Sequence, residues 1–428
     1  MSRPEGWIDL LDGVVTEVVG PSRPGGPDRD PCGLIREALA AARLDLFLHE
    51  AAACGSPLIV VVNDPSRRTD TRAALAAIVE RAEARRAGAR FRLLVACGSH
   101  TFSARAAREF EERLLAPVAG RVEAIAWHRA GRGADLAEVG PYRLHRWLVE
   151  ARHAIAIGSA EPHYFAGLAG AHKTLTVGLM SAGDLRSNHE GAMSARAAPL
   201  AAGGNPVYEG IEAVVSALEG GGRRLFAVNL VMAGDRVLAC FAGRPREAAR
   251  SALPLVRASH ARELTRPVDL VVARVRPPLD RTLYQADKGI KNVEGAVRDG
   301  GVILLDAACP GGVGADRFLR LLRRAGDHAS AARAVEEEGY RLGDHKAVRL
   351  RALTERRGVR LGVVSDALPE ETVRLLHAEP FRDRAAAARW ARTLLGHRRG
   401  RRAPRGLLVE DAGHLLLRLR RPAAWEAI

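Results

Sequence analysis

The run PLIVVVN, residues 57–63, is the feature that most limits the architecture of this chain. Its continuous β-branched apolar character leaves no polar face for water. The strand it forms must be covered on both sides, as in a parallel sheet flanked by helices. The polar loop DPSRRTD follows, and the helical pattern TRAALAAIVERAEARRAG then closes at Gly88 with arginines in its last turns. FRLLVACG, SHTF and SARAAREFEERLLAPV repeat the sequence of strand, loop and helix. Two such units in series predict right-handed parallel crossovers. Ligands bind such sheets beyond the carboxyl ends of the strands. Asp64, Arg67 and His100 fall at those ends.

HAIAIGS, residues 153–159, is a third strand of the same kind, and RRLFAVNLVMAGDRVLACFAG reads as two strands joined by an Ala-Gly-Asp turn. The length of 428 residues exceeds the roughly 250–300 at which a single core stops growing, so two domains are expected. The pattern restarts after Thr265 with the strand VDLVVARV, followed by the helix YQADKGIKNVEGAV, the strand VILLDA, the loop ACPGGVGAD and the strand VRLGVVSD. The expected domains are therefore 1–265 and 266–402, both α/β. The last stretch, GLLVEDAGHLLLRLR, reads as a hairpin turning at Ala412 and Gly413, and 403–428 is a candidate to fold back onto the first domain.

The formal charge of +15 would suit a polyanion. The arginines, however, alternate with Ala and Leu along helical stretches, as solvated faces do. Only HRRGRRAPR, residues 397–405, is a compact basic run, and aromatics at 4% are too few for a base-stacking platform. The charge therefore reads as a preference for arginine rather than as a nucleic-acid site. The five cysteines are scattered without CxxC spacing, which argues for a reduced cytoplasm and against a disulfide framework or a cysteine zinc site. No apolar run approaches the ~20 residues of a membrane span, and the first residues lack the layout of a signal peptide. A soluble cytoplasmic protein is expected, with neither nucleic acid nor membrane as partner.

Arginine is used 61 times and lysine four times, at Lys173, Lys288, Lys291 and Lys346. A primary amine differs from guanidinium in that it can lose its proton and form a covalent bond. Lys173 lies in EPHYFAGLAGAHKTLTVGLMSAGDLRSNHEG, among small residues that leave room for a bulky group and between His163 and His189. It is a candidate point of covalent attachment. Neutral imidazoles such as these can bind a metal or move protons near neutral pH. His100 follows a strand and a glycine, Asp64 to Arg67 form a loop suited to phosphate, and Gln285 and Lys288 share a helix face where amide and ammonium can hold a carboxylate.

Together these motifs resemble the nickel-dependent lactate racemase family. The carrying residues are Asp64 and Arg67 of D-x-x-R; Gly98, Ser99 and His100 of a strand-end G-[ST]-H; Glu161, Pro162, His163, Ala166, Gly167, Gly170 and Lys173 of EPHxxAGxxGxxK, followed by Asn188 and His189; and Tyr284, Gln285, Ala286 and Lys288 of YQAxK. The resemblance implies two Rossmann-like α/β domains with the active site in the cleft between them. It implies inversion at C2 of a 2-hydroxy acid by proton-coupled hydride transfer to a nickel-pincer nucleotide, pyridinium-3,5-bisthiocarboxylic acid mononucleotide, tethered to Lys173. His189 would be the protein ligand to nickel, Asp64, Pro65, Ser66 and Arg67 would contact the cofactor phosphate, and Arg67 would also face the substrate. His100 and His163 would be the acid/base pair, and Tyr284, Gln285 and Lys288 would bind the carboxylate. Implied partners are the 2-hydroxy acid and the enzymes that make the cofactor, a carboxylase/hydrolase, a sulfur transferase and a nickel insertase. Arg68, His172 and Val177 depart from the family pattern, and Arg68, if it points inward, would admit a second carboxylate as in malate. An ordinary pyridine-nucleotide oxidoreductase is the rival enzyme reading. It lacks the G-x-G-x-x-G expected in the first βα turn. A basic nucleic-acid-binding protein is the rival outside enzymes.

Overall fold

The computed structural model describes residues 6–22, 30–85, 88–132, 135–396 and 402–420. The chain divides into two units, Ser22–Ser259 and Met1–Pro21 with His260–Ile428. Each is a mixed α/β unit built on a six-stranded sheet.

In the first unit, strands β1 (Leu58–Asn63), β2 (Phe91–Ala96), β3 (Val122–His128) and β4 (His153–Ser159) are followed by a short antiparallel hairpin, β5 (Glu161–His163) with β6 (Gly167–Ala169), and then by β7 (Arg224–Ala233) and β8 (Arg236–Gly243). The sheet order is β8-β7-β4-β1-β2-β3, parallel except for the β7–β8 edge pair. Leu58 to Val62 are almost completely buried, which is the two-sided cover that the apolar run demanded. From β1 the chain moves outward to β2 and β3, then returns to the other side of β1 as β4. The sheet therefore has a switch point between β1 and β4, where diverging loops leave a crevice.

The helices of this unit include α1 (Thr71–Ala84), α2 (Ala104–Leu115), α3 (Ala171–Leu175), α4 (Ala182–Glu190) and α5 (Pro206–Gly220). Asp70 caps α1, its carboxylate accepting from the Ala73 amide at 3.1 Å. That amide is no longer available to an anion.

The second unit carries β9 (Val268–Arg274), β10 (Val297–Asp306), β11 (Arg360–Val364), β12 (Ala378–Phe381) and β13 (Arg405–Val409), with helices α6 (Leu283–Val293), α7 (Asp344–Arg351) and α8 (Arg384–Gly396) among others. All strand pairs in its sheet are parallel. Side chains alternate between its faces. Val271, Ala273, Ile303 and Leu305 pack into the core that includes α6, whereas Leu270, Val272, Val302 and Leu304 pack with Trp7 and α8.

Two differences from the sequence reading stand out. The segment VTEVV, Val15–Val19, forms an edge strand parallel to β13, so the first residues of the chain complete the second sheet. The expected hairpin at Ala412 and Gly413 does not form. After β13 the chain turns at Glu410 to His414, the Asn292 amide donates to the Ala412 and Gly413 carbonyls, and Leu416–Leu419 pairs in parallel with Ala261–Leu264 in a separate two-stranded sheet. Alternating apolar residues on both sides of a glycine fix two strands but not their partners. The basic run at 397–405 lies outside the described residues as far as 401.

Candidate active site

A pocket opens at the switch point of the first unit. It is lined by residues that follow β1 (Asp64, Arg67), β2 (Gly98, Ser99, His100) and β4 (Ser159, Glu161), together with Gly170, Lys173 and Thr174 around α3 and with His189 in the last turn of α4.

Local chemistry places each of these groups. Gly158 allows β4 to pass against α3, since a Cβ there would lie 2.7 Å from the Ala171 nitrogen. The start of α3 is held by the buried Asn229 of β7, whose Oδ1 accepts from the Ala171 amide at 2.8 Å. Thr174 donates to Asn63 Oδ1 at 2.6 Å, and the Asn63 amide donates to Thr69 Oγ1 at 3.0 Å, so the end of β1 ties the lysine helix to the Asp64 loop. Ser181 caps α4, accepting from the Asp184 amide at 3.1 Å.

Both acids of the pocket are engaged. Asp64 Oδ2 lies 2.9 Å from His100 Nδ1, while Asp64 Oδ1 accepts from the Ser66 amide at 2.8 Å and from the Ser66 hydroxyl at 2.5 Å. Burial opposes ionisation of Asp64, but the His100 imidazole and the Arg67 guanidinium outweigh it and hold the carboxyl at about 2. An ionised Asp64 fixes the His100 proton on Nδ1 and leaves the lone pair on Nε2. Glu161 Oε1 accepts from Arg67 at 3.4 Å, with both side chains largely buried. The Lys173 amine has no hydrogen-bond or ion-pair partner among the described residues. Burial and the nearby Arg67 push its amine down to about 7, against an opposing pull from Glu161 and Asp64.

His189 is held neutral. Burial, with Lys173 and His100 adding positive charge, pushes it down to about 3. Its Nδ1 faces Asn188 Oδ1 at 3.3 Å, which favours a proton on Nδ1 and a lone pair on Nε2. His163 does not line the pocket. It is buried, stacks on Tyr164 with ring centres 5.2 Å apart, and its Nδ1 accepts from the Ala166 amide at 3.2 Å. This bond sets the proton on Nε2, the reverse of His100. The edge of Phe165 meets both the His163 and His189 rings.

Residues 8–199 match the lactate racemase N-terminal domain, and residues 265–399 match the lactate racemase C-terminal domain. The chain belongs to the lactate racemase family. Members of this family are isomerases. The lactate racemase of Thermoanaerobacterium thermosaccharolyticum is 24% identical over 343 residues, covering 77% of this chain and 78% of that protein. That of Lactiplantibacillus plantarum is 25% identical over 292 residues, covering 65% and 66%. The lactate racemase apoprotein structure from the first organism superposes with a TM-score of 0.81 at 20% identity, covering 96% of both chains. A Thermotoga maritima protein superposes at 0.68 with 17% identity, covering 92% of this chain and 99% of that one. The two likenesses carry the fold.

Of the residues singled out by resemblance to the lactate racemase family, Asp64, Arg67, His100, Lys173 and His189 meet in one pocket. Asp64 faces His100 and Ser66. Tyr284, Gln285 and Lys288 lie in the first turns of α6 in the second unit, Gln285 buried and the other two half-buried. Arg68 is half-buried and does not line the pocket. Sequence reasoning missed Asn63 and Asn229. The signal for Asn229 was available, a single amide in the otherwise apolar strand RLFAVNLVMA. Among the described residues no helix is long and apolar enough to cross a membrane.

Proposed function

We propose that this chain is a racemase or epimerase that inverts C2 of a 2-hydroxy acid, with lactate or a related acid such as malate or a sugar acid as substrate. The reading rests above all on Lys173, a pocket-lining amine without a partner that is pushed down to about 7, so that much of it is an uncharged nucleophile at neutral pH. The pocket residues fit a nickel-pincer nucleotide. Lys173 offers the amine for a covalent link, His189 offers a neutral imidazole suited to nickel, and Arg67 offers charge to an anion. When bound, such a group supplies the centre that takes up and returns the C2 hydrogen as hydride.

The remaining chemistry belongs to the side chains. His100, oriented by Asp64, takes the hydroxyl proton at Nε2 as the C2 hydrogen departs, which turns the tetrahedral centre into a planar 2-keto acid. His163, the second histidine of the pair, would serve the mirror-related pose of the substrate from behind the pocket lining, and the proton on His100 Nε2 goes back to the substrate oxygen when the hydrogen returns. Return of the hydrogen to the opposite face inverts the centre. Tyr284, Gln285 and Lys288 bind the carboxylate. Maturation of the site requires the cofactor-making enzymes named above. The test is intact mass, nickel content and chiral chromatography on protein coexpressed with those enzymes. A nucleotide adduct on Lys173 with interconversion of D- and L-lactate is the expected result. Unmodified Lys173 without nickel would overturn the reading.

A further inference from the structure

We propose that Lys346 is a positioning residue for the turn that carries Tyr284, Gln285 and Lys288, an inference that rests on reading this turn as the carboxylate-binding element. Lys346 lies on α7, far from α6 in sequence, and its side chain is only 4% exposed. Its ammonium donates to Asp287 Oδ2 at 2.9 Å and to the Tyr284 carbonyl at 3.0 Å, and stands 4.5 Å from the centre of the Tyr284 ring. All three acceptors belong to the first turn and a half of α6.

This turn needs outside support. Thr282 at its N-cap makes no side-chain capping bond, and the Leu283 and Tyr284 amides instead donate to the carbonyls of Gly312 and Val313, each at 3.0 Å. The glycine-rich loop holds the turn by its amides, and Lys346 holds it by a carbonyl and a carboxylate. The Tyr284 carbonyl is the one an α-helix directs at the amide of residue 288, so the ammonium grips the peptide unit that closes the turn onto Lys288.

Stability alone does not account for the arrangement. A buried ion pair contributes little over an apolar pair of the same shape, because desolvation offsets the attraction. What it supplies here is one geometry and one charge balance. Asp287 is 3% exposed and precedes Lys288; without Lys346 its carboxylate would compete for Lys288 and repel an anionic substrate. A compact ammonium can meet a carbonyl, a carboxylate and a ring face converging on one point, whereas guanidinium spreads its donors over a plane.

The test uses the coexpressed holoenzyme and the variants Lys346→Gln, Lys346→Arg and the pair Lys346→Met with Asp287→Leu. Lys346→Gln should raise KM for the 2-hydroxy acid about tenfold while kcat stays within about threefold, with nickel content and the Lys173 adduct unchanged. The double variant removes the pair without leaving a buried charge, so its Tm should return toward that of the parent while KM stays high. Hydrogen exchange on cofactor-free protein should be faster at residues 283–288 in every variant. A KM that follows Tm back to the parental value, or unchanged exchange in the α6 turn, would sink the positioning role. An inactive, adduct-free parent would sink the functional reading instead, and the exchange measurement would still decide what Lys346 does.

Discussion

Lys173 and Lys346 are the same side chain placed in two protein environments and put to opposite uses. In the first unit, Asp64 is committed to His100 and Ser66, and Glu161 to Arg67, so neither acid of the pocket pairs with Lys173. In the second unit, Lys346 has Asp287 within hydrogen-bond distance. An amine crowded by protein and left unpaired sheds its proton and becomes a nucleophile, whereas one bound to a carboxylate becomes a fixed strut. The partner, more than the burial, decides the outcome.

The largest expected effect comes from equalising the two. Lys173→Arg replaces an amine that can shed its proton with a guanidinium that cannot, so the adduct should vanish from the intact mass and racemisation should fall by at least about a thousandfold. Lys346→Arg should leave the adduct in place. Equal losses in the two variants would break the comparison.

Next comes the acid that is withheld from Lys173. Asp64→Asn removes the ionised orienter of His100 and should lower kcat about 10- to 100-fold, read as kcat against KM together with the imidazole NMR signals of His100. A variant at the parental rate would mean that His100 needs no orientation.

A smaller and opposite effect concerns stability. Lys173 titrates near its ordinary 10.5 when unfolded and at about 7 when folded. Between these values the unfolded chain holds the extra proton, so stability rises with pH across the window and the full penalty stands below about 7. Cofactor-free Lys173→Met should therefore be more stable than the parent by about 1–3 kcal/mol at pH 7, the gain shrinking toward zero near pH 10.5 in denaturant titrations. The smallest effect is expected at Arg68, which lines no part of the pocket. Arg68→Ala should leave the lactate KM within about twofold, and a larger shift would bring that side chain into substrate selection.

The parallel architecture and the pocket-side loops were legible because strand and helix periods are local properties of the sequence. The same holds for Asp64, His100 and Lys173, which follow directly from strand ends or small-residue segments. Pairing was not legible. VTEVV gives no sign that its neighbour is Arg405–Val409, and the alternation around Gly413 suggested a hairpin that the register does not make. The partner of Asp64 depends on where β2 delivers His100, and the contact of Lys346 with Asp287 spans 59 positions. The tautomer of His163 turns on the Ala166 amide three residues away, which the EPH motif does not announce.

The edge strand Val15–Val19 sets an order of events during synthesis. It belongs with β13, so this early segment emerges from the ribosome well before the sheet it completes exists. The pocket, by contrast, is drawn from one uninterrupted stretch, residues 63–189. At roughly 5–20 residues per second, the pocket that Lys173 lines is fully translated on the order of ten seconds or more before β13 appears, and the leading strand has to wait unpaired through that interval.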